Sequence, residues 1–178
     1  HGKTAGNLEK RYIGRTDEPI CEEGISELES IKYPDCDEVL ASPMKRCLQT
    51  AKLVYPDKNV TVCSDFRECD FGDFEGKNYR ELTGNSDYQH WIDSGGTAPF
   101  PNGEAPSDFR KRCIAEFEKA VAEFDENTVL ALVVHGGTIM SVLEKYAYPK
   151  GSYYDFQVPN AHGYVTEFDG EKIIITER

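Results

Sequence analysis

The run from Thr128 to Val134 constrains the fold of this chain more than any other stretch. It reads Thr-Val-Leu-Ala-Leu-Val-Val, contains no charged residue and stops at His135-Gly136-Gly137. A strand without polar alternation has to be covered on both faces, which is typical of parallel sheets flanked by helices. The apolar segment 139–146 follows at helical length. The pattern therefore predicts a buried strand that leads directly into a helix.

Strands and helices alternate along the rest of the chain in the same way. Further strand-like segments occur at 38–41, 59–63, 153–158, 163–168 and 172–176, and helical patterns begin near 25, 44 and 107. Asp169-Gly170 is typical of a hairpin turn, so the last two strands should pair antiparallel. We therefore expect an α/β fold, a three-layer α/β/α sandwich with a mixed, mostly parallel sheet.

The length of 178 residues predicts a single domain that spans 1–178. Within it, the segment 77–106 holds short helical pieces and a loop rich in glycine and proline, which favours a cap or lid. Its aromatic residues could line a substrate pocket or form the core of the cap, and the sequence leaves both alternatives open. These residues are Tyr79, Tyr88, Trp91 and Phe100.

The formal net charge of -12 argues against nucleic acid and against an anionic membrane as partners, because both would be repelled. No apolar run approaches the length of a membrane span. Small phosphorylated metabolites remain compatible with this charge. A local cluster of Arg and His outweighs diffuse surface charge, which salt screens within about 10 Å. The expected partner is a small-molecule phosphate monoester, and a homodimer is compatible with the sequence.

The six cysteines are scattered singly, without the close pairs of a zinc site or the density of a disulfide scaffold. This distribution favours reduced thiols and a cytoplasmic protein. Carboxylates and histidines also lack the clustered spacing of a metal site. We expect no metal and no other cofactor.

The candidate site residues lie at the ends of predicted strands and in the opening segment His1-Gly2-Lys3-Thr4-Ala5-Gly6-Asn7. An imidazole such as that of His1 is a competent nucleophile for phosphorus when its other nitrogen is held by an acceptor. Arg46, a protonated His135 and Asn7 could stabilise the charged oxygens of a phosphoryl group. Glu68 could give a proton to the leaving alkoxide and then activate water. These residue types suit phosphoryl transfer without a metal.

Glu68 needs a raised pKa for the first of these steps. We expect the nearby acids Asp65, Asp70 and Asp73, together with partial burial among phenylalanines, to raise it.

Each candidate residue also has a plainer explanation. A terminal His1-Gly2 is often the remnant of a tag, and Arg46 and Glu68 could be solvated surface charges. His135 could merely cap the helix that follows it. Their common placement at strand ends favours the functional interpretation. His162 lies in a predicted turn, where a structural or peripheral role is favoured.

Four ordered motifs give this chain a resemblance to the histidine phosphatase superfamily, also called phosphoglycerate mutase-like. The family motif Arg-His-Gly-x-Thr-x-x-Asn is matched from His1 to Asn7, apart from its arginine. The segment Arg11–Gly14 resembles the family's Arg-Tyr/Phe-x-Gly loop. The segment Ser42–Ala51 resembles its Ser-Pro-x-x-Arg-x-x-Gln-Thr-Ala helix start, and His135-Gly136-Gly137 its second histidine. The match covers nearly the whole chain.

The resemblance implies a phosphoglycerate mutase-like fold and a phosphohistidine formed on the first histidine. It implies four catalytic residues, His1, Arg46, Glu68 and His135, and three substrate-binding residues, Asn7, Gly14 and Gly136. The family's arginine before the first histidine, and the apolar strand leading to it, are missing from the sequence. We expect that the sequence begins late, because a sheet without that strand would expose unpaired edges. A protein that truly lacked the arginine would lose one phosphate clamp.

Three functions compete. The leading hypothesis is a phosphomonoesterase, most similar to the short bacterial phosphatases that include the α-ribazole phosphatase group. The second is a cofactor-dependent phosphoglycerate mutase. The mutases of the family carry two adjacent arginines for the substrate carboxylate, and no such pair occurs between Gly76 and Phe109. The third is a non-catalytic phosphate-binding module, which would not need a nucleophile, cationic clamps and an acid together.

Overall fold

The computed structural model describes all 178 residues. It contains six α-helices and six β-strands. The helices are α1 (Ala5–Leu8), α2 (Glu22–Ser30), α3 (Lys45–Val54), α4 (Ser86–Asp93), α5 (Pro106–Ala122) and α6 (Gly136–Tyr146). The strands are β1 (Glu38–Ala41), β2 (Val60–Val62), β3 (Leu130–Val133), β4 (Ala147–Tyr148), β5 (Val165–Phe168) and β6 (Ile173–Glu177).

The first sheet has the order β2-β1-β3, and all of its strands are parallel. Val39 of the central strand lies opposite Val60 on one side and Ala131 on the other. The carboxyl ends of parallel strands meet at one edge of a sheet. Ser42, which follows β1, and His135, which follows β3, are therefore brought to the same edge.

Helices cover both faces of this sheet, because alternate residues of β1 point to opposite sides. Val39 and Ala41 pack with Cys47 of α3. Leu40 packs in a different cluster, with Phe117 of α5 and Val142 of α6. The predicted three-layer arrangement is confirmed.

The second sheet has the order β4-β6-β5. Strand β4 runs parallel to β6, and β5 pairs with β6 antiparallel. Asp169 closes the predicted hairpin, because its Oδ1 accepts hydrogen bonds from the N–H groups of Glu171 and Lys172. Three of the four strand pairings in the two sheets are parallel and one is antiparallel, so the strand pairing is mixed and mostly parallel, as predicted. The strand expected before His1 concerns residues outside this sequence and stays an expectation.

The segment Tyr153–Phe156 is a 3-10 helix, although the sequence predicted a strand there. The cause is local. Asp155 accepts hydrogen bonds from both the N–H and the hydroxyl of Ser152, which forms a capping box and starts a helical turn. These hydrogen bonds outweigh the strand-like composition of the segment.

The predicted cap segment holds α4 and a loop, and most of its aromatic residues belong to one cluster. Buried Tyr88 and Phe100 pack around Phe74, with Trp91 against them. Tyr79, in contrast, is exposed. The rings of Tyr88, Trp91 and Phe100 therefore form the core of this segment. That the segment acts as a lid stays a prediction.

No helix is both long enough and apolar enough to cross a membrane. All six cysteines are free.

Phe74 should be the main stabilising residue of the aromatic cluster that it forms with Tyr88, Trp91 and Phe100. It is 1% exposed, and its ring contacts the rings of those three residues. We predict that Phe74→Ala lowers the free energy of unfolding by about 3–5 kcal/mol in a urea titration. Tyr79→Ala is the matched control, since Tyr79 is 47% exposed, and should change it little. Equal effects of the two substitutions would contradict the cluster as described.

Candidate active site

His1 has one ring nitrogen fixed and the other free. Its Nδ1 lies 2.8 Å from the carbonyl oxygen of Gly2. A carbonyl only accepts hydrogen bonds, so Nδ1 carries the proton and the lone pair is on Nε2. Gly2 is itself enclosed, because an added Cβ would lie 2.7 Å from Cδ1 of Leu28. This geometry leaves the lone pair of Nε2 free, as the predicted role of nucleophile requires.

His135 lies two residues after the end of β3 and is the N-cap residue of α6. Its side chain is fully buried, and its Nε2 is 2.7 Å from the hydroxyl of Ser42. The His135 and His1 rings meet edge to face, with centroids 5.1 Å apart. The two strand ends thus place a second imidazole beside the candidate nucleophile.

His135 is expected to be protonated when it binds a phosphoryl oxygen, and that expectation stays a prediction. In the structure the pKa of His135 is lowered well below its ordinary value, mainly by burial and then by the charge of Arg46. The ring is therefore neutral at pH 7. An anion placed against it would favour the charged form and oppose these effects.

Arg46 is 1% exposed and lies in the first turn of α3. Its Nη1 donates to the carbonyl of Thr16, and its Nη2 donates to the carbonyls of Ile13 and Gly14. All three acceptors are neutral, so the positive charge is not cancelled by a carboxylate in these bonds. A guanidinium has five N–H groups, which leaves donors for an anion.

The loop 13–16 that surrounds Arg46 is held from its other side by Glu75. The Glu75 carboxylate accepts hydrogen bonds from the N–H of Gly14, the N–H of Arg15 and the hydroxyl of Thr16. Sequence reasoning noted the acidic, aromatic segment that contains Glu75 but did not single out this residue.

Gly14 fits between neighbouring backbone groups with no space for a side chain. An added Cβ would lie 1.8 Å from the carbonyl oxygen of Cys69. Its N–H is bonded to Glu75 and its carbonyl to Arg46. A direct contact between Gly14 and a substrate stays a prediction, whereas its tight packing is a feature of the structure.

Glu68 faces the beginning of α6, where a Cβ added to Gly137 would lie 2.8 Å from its Oε1. Its pKa is raised, as expected, but of the two expected causes only burial is borne out. Burial is the largest contribution, and the N–H of Cys69 and the charges of Arg46 and Arg112 oppose it. Glu75 adds a small upward contribution, and the three aspartates named from the sequence are not among the causes.

Asn7 is held so that one side of its amide is free. Its Oδ1 accepts a hydrogen bond from the N–H of Thr4 and a longer one, 3.4 Å, from Nδ2 of Asn160. The Nδ2 group of Asn7 is thus left to donate toward a ligand. Sequence reasoning missed Asn160, which lies far away along the chain. His162, two residues later, is exposed and bonds to the carbonyl of Asn160, which places it at the periphery.

Gly136 is the first residue of α6, and nothing lies within 4 Å of a Cβ added to it. The backbone at this helix start is therefore open to a ligand on the side next to His135. No group of three or more His, Cys, Asp or Glu residues is arranged to hold a metal ion.

Comparison with known proteins agrees with this geometry. The family model of the histidine phosphatase superfamily, branch 1, matches residues 1–178. An adenosylcobalamin/alpha-ribazole phosphatase of Salmonella typhimurium is 28% identical over 167 residues, covering 89% of this chain and 82% of that protein. A 2,3-bisphosphoglycerate-dependent phosphoglycerate mutase 2 of Gloeobacter violaceus is 29% identical over 161 residues, covering 80% and 71%. The crystal structure of the alpha-ribazole phosphatase from Shigella flexneri has a TM-score of 0.84 at 22% identity, covering 99% and 92%.

The chain belongs to the histidine phosphatase superfamily. It is an enzyme of the phosphatase class, and its fold is the phosphoglycerate mutase-like fold. The family, fold and enzyme class predicted from the sequence are thereby confirmed. The roles of individual residues, His1, Arg46, Glu68 and His135 among them, stay predictions.

The lowered pKa of His135 should make stability depend on pH. The unfolded chain binds a proton on this residue below about pH 6.5, while the folded protein keeps the ring neutral, so acid favours unfolding. The resulting loss can reach about 1.4 kcal/mol for each pH unit below that value. The free energy of unfolding of the wild type should therefore be lower at pH 5.5 than at pH 7.5. We predict that His135→Gln removes the contribution of this residue to that difference.

Urea titrations at the two pH values measure this effect. The matched control is His162→Gln, because His162 is exposed and its replacement should leave the pH dependence unchanged. An identical pH dependence for wild type and His135→Gln would contradict a neutral, buried His135.

Proposed function

We propose that this protein is a phosphomonoesterase that hydrolyses a small phosphorylated metabolite through a phosphohistidine on His1. One observation carries the proposal. The ring of His1, with its free Nε2, lies 5.1 Å from the ring of His135, whose pKa is lowered in part by the charge of the buried Arg46 guanidinium. The hydrogen bonds of that guanidinium all go to neutral carbonyls. A nucleophile near a buried cation that no carboxylate hydrogen-bonds suits attack on a phosphate dianion.

In the first step, Nε2 of His1 forms a bond to phosphorus while the bond from phosphorus to the leaving oxygen breaks. Arg46 stabilises the charge on the non-bridging oxygens. A bound dianion favours the charged form of His135, which then contributes a second cationic donor. Glu68, whose raised pKa helps it to keep a proton, protonates the leaving alkoxide.

In the second step, water attacks the phosphorus of the phosphohistidine and the bond to Nε2 breaks. Glu68, now a carboxylate, takes a proton from that water, so the same group acts first as acid and then as base. Inorganic phosphate leaves, and His1 returns to its starting form. Both steps balance without a metal ion.

The substrate we favour is a bulky, partly apolar phosphate monoester, with α-ribazole phosphate as the leading candidate. The relative from Salmonella typhimurium is named for that activity. Tyr153 supports this choice, because its hydroxyl donates to the carbonyl of Gly137, and a Cβ added to Gly137 would lie 2.8 Å from Oε1 of Glu68. Tyr154 meets Tyr153 edge to face at 5.1 Å and is largely exposed. A leaving alcohol beside Glu68 would therefore meet aromatic rings.

A cofactor-dependent phosphoglycerate mutase is the second candidate, since a relative of that name matches much of the chain. We disfavour it because α4, in the segment where family mutases carry their arginine pair, reads Ser-Asp-Tyr-Gln-His-Trp-Ile-Asp. A substrate carboxylate there would meet Asp87 and Asp93 without a compensating arginine pair. A non-catalytic module is disfavoured because it would not need the orientation of His1.

Reaction with a labelled phosphomonoester, quenched within milliseconds, should leave phosphate on His1. The label should be labile in acid and stable in base, as expected of a phosphoramidate. His1→Ala should carry no label, because its Nε2 is the attacking atom. The control His162→Ala should carry as much label as wild type, because His162 is peripheral. Label on serine, or none on active enzyme, would contradict the mechanism.

Incubation with 3-phosphoglycerate and a trace of 2,3-bisphosphoglycerate distinguishes the phosphatase from the mutase. We predict poor turnover of this substrate, and inorganic phosphate as the phosphorus product that does form. The physical reason is the acidic character of the cap helix toward a second carboxylate. Phosphorus NMR reports both products. Efficient formation of 2-phosphoglycerate without free phosphate would refute the phosphatase proposal.

A further inference from the structure

Arg112 lies on α5 and contacts the chain segment that carries Glu68. Its Nη1 donates to the carbonyls of Asp65 and Arg67, both at 2.7 Å. Its Nη2 donates to the carbonyl of Glu68 itself at 3.0 Å. One guanidinium thus bonds three backbone carbonyls within four consecutive residues.

Glu104 holds this guanidinium in place. Its two carboxylate oxygens accept hydrogen bonds from Nε and Nη2 of Arg112, at 2.7 and 2.8 Å. The side chains of Arg112 and Glu104 are only 13% and 18% exposed. Glu104 also reaches the other side of Glu68, because its N–H donates to the carbonyl of Asp70. The ion pair therefore holds the backbone on both sides of Glu68.

All five N–H donors of Arg112 are used by these bonds, two by Glu104 and three by carbonyls. The Glu68 side chain, in contrast, is held by one hydrogen bond, from the N–H of its neighbour Cys69. The position of the Glu68 carboxylate consequently depends on where its backbone is fixed.

We propose that Arg112, aligned by Glu104, is a positioning residue that fixes the backbone of Glu68 so that its carboxyl group reaches the leaving oxygen. The inference rests on the proposed phosphatase reaction and assigns Arg112 no contact with substrate. A lysine cannot replace it. An ammonium has three donors on a flexible stem, whereas the planar guanidinium has five in a fixed arrangement.

The leaving group reveals whether Glu68 is correctly placed. A benzyl alkoxide needs a proton to depart, while p-nitrophenolate leaves with little need for one. Benzyl phosphate and p-nitrophenyl phosphate are similar in size, so the ratio of their kcat values reports proton delivery. Glu68→Gln should lower this ratio by on the order of 100-fold. Arg112→Lys should lower it by on the order of tenfold, through displacement of the carboxyl group.

Two controls separate positioning from a general structural effect. Arg67→Lys changes an arginine on the same segment that is exposed and bonds Asp65, so it should leave the ratio unchanged. In the double variant Glu68→Gln, Arg112→Lys, the second substitution should lower the ratio no further, because Arg112 acts through Glu68. Partial unfolding would lower both rates equally and leave the ratio unchanged.

Thermal unfolding establishes that each variant is folded under the assay conditions. If Arg112→Lys does not fold, Glu104→Gln provides the same test, because it keeps the shape of the partner but removes its charge. A folded variant with an unchanged ratio overturns the inference while the phosphatase proposal stands. A wild-type protein that hydrolyses neither ester overturns the proposed function and, with it, the inference.

Discussion

The buried guanidinium of Arg46 is the interaction on which the site depends. Burying a charge is costly unless its donors are satisfied, and here the carbonyls of one loop, 13–16, satisfy three of them. Because Glu75 bonds the N–H groups and the hydroxyl of the same loop, the loop is held between a cation and a carboxylate. The charge of Arg46 also acts at a distance. It lowers the pKa of His135, and it counteracts the burial that raises the pKa of Glu68.

The sheet positions His135, whereas the carboxyl group of Glu68 is positioned by irregular chain. His135 follows a parallel strand, and Ser42, which bonds it, follows the neighbouring strand. Glu68 instead follows a short 3-10 helix, Ser64–Phe66, and has no strand to fix it. Its support comes from α5 through Arg112. His135 and Glu68 are thus held by different parts of the fold, which meet at the beginning of α6.

The sequence predicted those features that depend on neighbouring residues. The uninterrupted apolar run before His135 and the motif around Arg46 predicted the two strand-to-helix units. The prediction that this run is a strand buried on both faces was wrong, because β3 lies at the edge of its sheet and only Val133 of it is buried. Features that depend on distant partners could not be read in advance. Glu75, Arg112 and Asn160 look like ordinary surface residues until the fold brings their partners to them. The neutral state of His135 has the same origin, because burial and the charge of Arg46 act on it only in the folded chain.

Tyr12 links the segment 77–106 to the loop that surrounds Arg46. Its ring packs against Phe71, Tyr88 and Trp91 of the aromatic cluster, and it immediately precedes the loop that surrounds Arg46. Its backbone is bonded to both Gly76 and Lys77. Swinging the segment 77–106 outward as a rigid body would therefore pull the carbonyl groups of 13–16 away from the guanidinium. The aromatic cluster and the loop that surrounds Arg46 are therefore mechanically coupled, so that a rigid movement of one would displace the other.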